Sequence, residues 1–386
     1  LSQYEFPLVS GGSLLGVDIT RIHLEEDTAR SSHTAESDHS LVDFNRGGVP
    51  LMELVTEPVL HSATDAANFA RELQLLLRTL GASYANMEKG EMRVEANISV
   101  SKNKGVLGTK VEIKNLNSFK SVEKAIEFEV ARHIKVLEEE GELVQETRGW
   151  DESKEITFSQ RIKEEAADYR YFPEPDLPRM KLSEVEEFSV VNLRETLPEL
   201  PMEKRERFRA QYKVPDEVIE MYVSDMLLGD FFEEVVKELA SSENLEKKTL
   251  LASNYISNNL RALKVKPEEH VAQTLTTENF VGMLEMVYGG EISSNGAVEI
   301  LRLLVSGDGE ATARELAQDK GLLQQNDEGV LLEMVENILD ENSDAVAEFK
   351  AGKEQALQYL VGQGMKLSKG SANPAKLKEL ITNKLV

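Results

Sequence analysis

The chain has 386 residues, no cysteine, and 44 lysines and arginines against 69 aspartates and glutamates, a formal charge of −25. This excludes disulfides, thiolate metal sites and a cysteine nucleophile, and it excludes a surface that grips polyanions all over. No apolar run approaches the roughly 20 residues of a membrane helix, and the length predicts two or three domains.

The lack of cysteine fits a reducing cytoplasm. The chain opens on Leu1 with no signal-peptide pattern and reads as the downstream part of something longer. Residues 17–26 are predicted as a strand running into three acids, Glu25, Glu26 and Asp27. The loop at 45–50 pairs Gly47 and Gly48 beside Arg46. Its backbone N–H groups suit an anion, but without a Walker or GxGxxG pattern a plain turn explains it as well.

A helix is predicted from an N-cap at Ser62, with Asp65 three residues on, to just before Gly81. Residues 92–100 alternate without a break, which puts Met92, Val94, Ala96, Ile98 and Val100 on one face and Arg93, Glu95, Asn97 and Ser99 on the other. Residues 110–114 set Lys110, Glu112 and Lys114 opposite Val111 and Ile113. A second long helix starts near Ser118 and stops at Gly141, with Val122, Ile126, Val130, Ile134 and Leu137 as its apolar stripe. In the joint between strand and helix, Asn115 and Asn117 either cap that helix or orient a ligand at its N-terminus. Strands and helices in this order predict an α+β domain: a sheet with antiparallel-type alternation, helices on one face and an open polar face.

That open face carries the chemistry. Carboxylates from separate strands suit Mg²⁺ together with substrate phosphates, and the interspersed Arg and Lys suit phosphoryl oxygens. A solvated face with cross-strand ion pairs is the competing explanation. The aromatic, proline-rich run at 169–176 fits base stacking or simple core packing. His33 and His39 lie in a polar stretch with no ligand spacing.

Composition shifts near residue 195, and helices are predicted from there on, including 225–240 and 248–262. A break at 306–309 precedes the last helical stretch. The expected domains are 1–195, 196–306 and 307–386. From Lys350 on, seven lysines face two glutamates, reversing the charge of the whole. A basic helical tail fits a nucleic-acid backbone; a solvated lysine-rich helix end fits equally.

Seven motifs then resemble one family in its order: RIHLEED (21–27), SLVDFNRGGVPLMELVTEP (40–58), MRVEANISV (92–100), GTKVEIKNLNSF (108–119), QETRGWDE (145–152), DYRYFPEPDLP (168–178) and VGQGMKLSKGSANP (361–374). The chain resembles one subunit (B) of the glutamyl/aspartyl-tRNA amidotransferases across nearly its whole length. The resemblance implies a cradle-like antiparallel catalytic domain similar to glutamine synthetase, then an all-α domain and a small helical tail domain. It implies ATP-dependent phosphorylation of the side-chain carboxylate of Glu-tRNA(Gln) or Asp-tRNA(Asn). Ammonia from the amidase subunit (A) then displaces the phosphate in a complex that also holds a small subunit (C).

The family's metal-binding acids fall on Glu25, Glu26 and Glu112, its cradle-lining residues on Arg46, Arg93, Asn97, Lys114, Asn115 and Asn117, and its tRNA-contacting motif on Lys366, Lys369, Gly370 and Asn373. The cofactors implied are ATP and Mg²⁺. The family also begins with a segment ahead of Leu1 that adds His and Glu to the site. This sequence departs from the family pattern at Gly47, at Val94–Glu95 and at Gly364, where a branched residue is usual. A non-catalytic tRNA-binding and assembly module is the alternative, and a free-standing ligase acting on free glutamate is a third reading.

Overall fold

A computed structural model describes residues 7–33, 39–162, 175–176, 178, 180–241, 243–263, 275–307, 311–324, 327–368 and 372–385. The aromatic run at 169–174 and the expected tRNA contacts Lys369 and Gly370 lie outside the described residues. The chain divides into two units, Leu1–Pro201 and Met202–Val386.

In the first unit the strands form separate sheets. The long strand β3 (Val17–Glu26) is the centre of one: β1 (Val9–Ser10) and β2 (Ser13–Leu14) pair with it, and β6 (Pro50–Thr56) runs antiparallel along it with His23 opposite Glu53. Between them, β4 (Arg30–His33) and β5 (Ser40–Asp43) make a two-stranded ribbon. The second sheet has the order β10-β9-β8-β7, from β7 (Val94–Ile98), β8 (Val111–Leu116), β9 (Glu146–Asp151) and β10 (Ile156–Ile162). The single open-faced sheet expected from the alternation is therefore corrected: β3 belongs to a different sheet from β7 and β8.

The second sheet is also mixed rather than antiparallel. β8 and β9 run parallel, with Glu112 opposite Thr147, because α2 (Phe119–Glu138) lies between them and returns the chain to the same end. α1 (Ala63–Thr79) contacts α2. Both helices begin where expected. The Ser62 and Ser118 hydroxyls accept from the backbone N–H groups of Asp65 and Ser121. At the far end of α2 the left-handed residue is Glu140, one before the expected Gly141.

Ile98, Ile113, Leu116, Val122, Ala125, Ile126 and Trp150 form the core between sheet and helix, so β7 and β8 point their apolar residues at α2 and leave the polar face open. The buried stripe of α2 departs from the expected one. Glu129 and His133 are 0% exposed, whereas Ile134 is exposed. Two polar groups tolerate this burial because partners meet them. Glu129 takes His133 Nε2 at 3.1 Å and Arg132 Nε at 2.9 Å on one oxygen, and Thr157 Oγ1 at 2.7 Å on the other. Arg148 extends the network, donating to Glu146 at 2.6 Å and to Thr157 Oγ1 at 2.9 Å. Burial alone would raise the Glu129 carboxyl, but the hydrogen bonds from His133, Arg132 and Thr157 outweigh it and hold the pKa at about 2. A short helix, α3 (Val190–Thr196), lies near the end of this unit.

In the second unit the described elements are helical. α4 (Pro201–Tyr212), α5 (Asp216–Ser224) and α6 (Met226–Leu239) bury Phe208, Tyr222 and Phe232, with the Tyr222 and Phe232 rings stacked at 4.4 Å. α7 (Leu245–Asn254) continues into a π-helical turn, and α8 (Thr277–Tyr288), α9 (Ser294–Ser306) and α10 (Ala313–Asp319) follow. The tail has its own core, built by α11 (Glu328–Glu341), α12 (Ser343–Lys350), α13 (Glu354–Leu367) and α14 (Pro374–Leu385) around Leu331, Val335, Leu360, Leu377 and Ile381. Among the described residues, no helix is long and apolar enough to cross a membrane.

Candidate functional site

The open face of the second sheet gathers the expected residues of β7 and β8. Asn97 stands opposite Glu112 in antiparallel register, and paired residues share a face. Lys114 follows Glu112 by two positions, so it also points to that face. Its ammonium lies 2.8 Å from Glu95 Oε1 and 3.6 Å from Glu112 Oε1. Burial would lower the Lys114 pKa, but the Glu95 and Glu112 carboxylates outweigh it and raise it. From β9, Thr147 Oγ1 donates to Glu112 Oε2 at 2.7 Å. The Glu112 side chain, 14% exposed, is thus approached on both oxygens.

Asn115 departs from the alternation. Its φ of +66° is left-handed, and the register slips between Val94 and Ala96 on the facing strand. This β-bulge leaves Asn115 exposed between Lys114 and the buried Leu116. Asparagine is among the few side-chain-bearing residues that tolerate this region, and such conformations concentrate at functional sites. Neither Asn115 nor Asn117 supplies the cap of α2, which comes from Ser118; Asn117 is also exposed.

At the end of β3 a second group forms. Arg46 Nε donates to Asp27 Oδ2 at 2.7 Å. The hydrogen bond from Arg46 holds the Asp27 carboxyl below the usual carboxylate range against a smaller effect of burial, with help from the Thr28 N–H and the charges of Arg46 and Arg93. Arg93, immediately ahead of β7, therefore lies within electrostatic reach of the end of β3, which relates the two sheets. The loop at 45–50 is a turn. Its Gly47 and Gly48 N–H groups donate to the carbonyls of Phe44 and Asp27, both at 2.9 Å, so the anion cradle weighed for this loop is not formed.

Glu25 and Glu26 separate. Successive strand residues face opposite ways, and Glu25 shares its face with His23 and Glu53. His23 Nε2 lies 3.1 Å from Glu25 Oε1 and 3.7 Å from Glu53 Oε2, and ligand atoms of the three lie within 4.8 Å of one another. Glu26, the next residue along β3, is presented on the other face of the strand by the same alternation. The trio itself was missed in the sequence, although the i, i+2 spacing of His23 and Glu25 was the available signal. One nitrogen and two carboxylates have the composition of a metal site. However, among the described residues the buried His23 Nδ1 has no hydrogen-bond partner, and a metal-bound imidazole ordinarily has one there. The trio also ties β3 to β6.

In the tail, Lys366 is exposed on the last turn of α13. Asn373, 8% exposed, is differently placed: its Oδ1 accepts from the Ala375 N–H at 3.0 Å and its Nδ2 donates to Gly290 O at 3.1 Å. It caps α14 and ties it to the turn after α8.

Comparison with known proteins gives matches over both units. Residues 1–186 match the GatB/GatE catalytic domain and residues 230–385 match the GatB domain. A protein of Halorhodospira halophila, named as the aspartyl/glutamyl-tRNA(Asn/Gln) amidotransferase subunit (B), is 40% identical over 396 residues, covering 100% of this chain and 80% of its own length. Proteins with the same name from Carboxydothermus hydrogenoformans and Caldanaerobacter subterraneus are 39% and 40% identical, with the same coverage.

Proposed function

The chain belongs to the GatB family, that of the aspartyl/glutamyl-tRNA(Asn/Gln) amidotransferase subunit (B), and from this premise we propose that its first unit activates the side-chain carboxylate of glutamate or aspartate esterified to tRNA. A carboxylate is a poor acyl donor because oxide is a poor leaving group. One carboxylate oxygen attacks the γ-phosphorus of ATP, ADP leaves, and an acyl phosphate remains. Ammonia then attacks the acyl carbon, and phosphate departs with the carboxylate oxygen, leaving the amide and a proton. The ammonia comes from the amidase subunit (A) of a cytoplasmic complex that includes the small subunit (C).

The observation that carries this reading is the open face on which Glu112 stands among Asn97, Lys114 and Thr147. Phosphoryl transfer calls for positioned charge far more than covalent chemistry from the protein. Lys114, Arg46 and Arg93 suit the oxygens of a transferring phosphoryl group. Asn97, Asn115 and Asn117 offer amides to hold the substrate carboxyl or ribose. The carboxylates of Glu26 and Glu112 are hard oxygen donors of the kind Mg²⁺ takes. When bound, Mg²⁺ supplies charge neutralisation at the phosphate oxygens. In the second unit, the exposed Lys366 supports contact with the tRNA backbone, and the sequence places Lys369 three residues on.

A second reading, a non-catalytic tRNA-binding and assembly module, draws on one feature: Arg46 and Lys114 already pair with Asp27 and Glu95. The test is ATP hydrolysis by the complex reconstituted with this chain, with and without charged tRNA. Hydrolysis that needs Glu-tRNA(Gln) or Asp-tRNA(Asn) supports carboxylate activation. Tight tRNA binding without it supports the module, and turnover of free glutamate supports neither.

A further inference from the structure

We infer that Thr147 is a positioning residue for Glu112: its buried hydroxyl sets the direction in which that carboxylate is presented on the open face. The inference rests on the reading of Glu112 as a working carboxylate of the site. Thr147 is 6% exposed and stands opposite Glu112 in the parallel β8–β9 register, so the two side chains share a face. An ionised carboxylate only accepts, so in the 2.7 Å contact the threonine must donate its one proton. Such charge-assisted bonds are short and strong.

The donor is itself held. Thr147 is β-branched and stiff at χ1. Its strand neighbours Glu146 and Arg148 point to the opposite face, where they join Glu129 and Thr157 in the buried network beneath the sheet. The strand that carries the hydroxyl is thereby anchored from below, and Glu112 Oε2 is fixed against it from above. Lys114 lies toward the other oxygen at 3.6 Å. A glutamate on a strand otherwise has three rotatable bonds, and a group that binds or orients a cation loses affinity when its direction is lost.

The test uses the assembled complex and Mn²⁺ as the probe, with free Mn²⁺ counted by electron paramagnetic resonance in the absence of ATP and tRNA. Four variants are compared with the parent: Thr147→Val, Thr147→Ala, Thr147→Ser and Glu112→Gln. The inference expects Thr147→Val and Thr147→Ala to weaken Mn²⁺ about tenfold, with thermal unfolding close to that of the parent, and Thr147→Ser to restore binding. If the valine and alanine variants bind Mn²⁺ as the parent does while Glu112→Gln does not, the positioning role is overturned and the reading of Glu112 stands. A serine variant as weak as the valine variant also overturns it, because the hydroxyl is then not the cause. If Glu112→Gln itself binds Mn²⁺ and amidates as the parent does, the reading of Glu112 fails instead.

Discussion

Asp27 and Arg46 meet at 2.7 Å across a turn of the chain, and the charge of Arg93, from the edge of the other sheet, falls on the same carboxylate. An arginine from the 45–50 turn thus pairs with one acid that is not among the expected metal ligands, and the charge of a second, just ahead of β7, acts on the same acid. Asp27→Asn removes the charge that holds Arg46 in place. We expect this variant to keep its fold and to raise KM for ATP several-fold with a smaller effect on kcat, since Arg46 then loses more conformational freedom on reaching phosphate. Steady-state kinetics of the complex checks this.

Glu129 makes the first unit acid-sensitive. Its pKa is about 2 in the folded chain against 4.5 for the ordinary group. A depressed carboxyl contributes stability that is present above the unfolded value and lost as pH falls through the folded one. The window is therefore pH 4.5 down to about 2, and the contribution is on the order of 3 kcal/mol. Glu129→Gln is expected to cost a similar amount at neutral pH, by removing the buried charge on which Arg132 and Arg148 converge, and to flatten the pH dependence in that window. Denaturant unfolding followed by Trp150 fluorescence reports both.

Much of this was legible in the sequence, for definable reasons. Ser62 and Ser118 announce their helices because capping is local: the acceptor and the N–H it satisfies are three residues apart. The alternation of β7 and β8 shows its face because Val94 to Ile98 and Val111 to Ile113 need no distant partner to be read. The burial of Glu129 and His133 was not legible, because what permits it is Thr157 and Arg148, on strands far along the chain. Pairing of β8 with β9, the separation of β3 into another sheet and the reversal of Asn115 are likewise decided by tertiary context. The division of Glu25 from Glu26 follows from strand alternation alone and was within reach.

The tail gives a contrast between two residues of one motif. Lys366→Glu is expected to weaken tRNA binding and to lower the slope of log K against log salt by about 1, as one fewer phosphate is neutralised. Asn373→Ala is expected to leave that slope alone and to destabilise the second unit by about 1–2 kcal/mol, through loss of the cap on α14 and of the bond to Gly290. Filter binding across a salt series and thermal melting separate the two effects.

Gly364 shows how the tail absorbs a missing side chain. A Cβ there would lie 2.8 Å from Leu377 Cδ1 and 3.2 Å from Ile338 Cδ1, so α13 and α14 approach closely at this point. Gly364→Val alone is expected to destabilise by about 1–3 kcal/mol through overpacking, and Leu377→Ala alone by about 2–5 kcal/mol. Together they should cost less than the sum, because the valine fills the space the leucine leaves. Equilibrium unfolding of the two single variants and the double variant measures the coupling.

The most direct measurement follows oxygen. Glu-tRNA(Gln) carrying ¹⁸O in its side-chain carboxylate is amidated by the complex with ATP and ammonia, and the inorganic phosphate released is weighed by mass spectrometry. Carboxylate activation predicts one ¹⁸O in each phosphate formed per amide, and its disappearance together with the amide in Glu112→Gln. Amide formation with unlabelled phosphate would contradict the account.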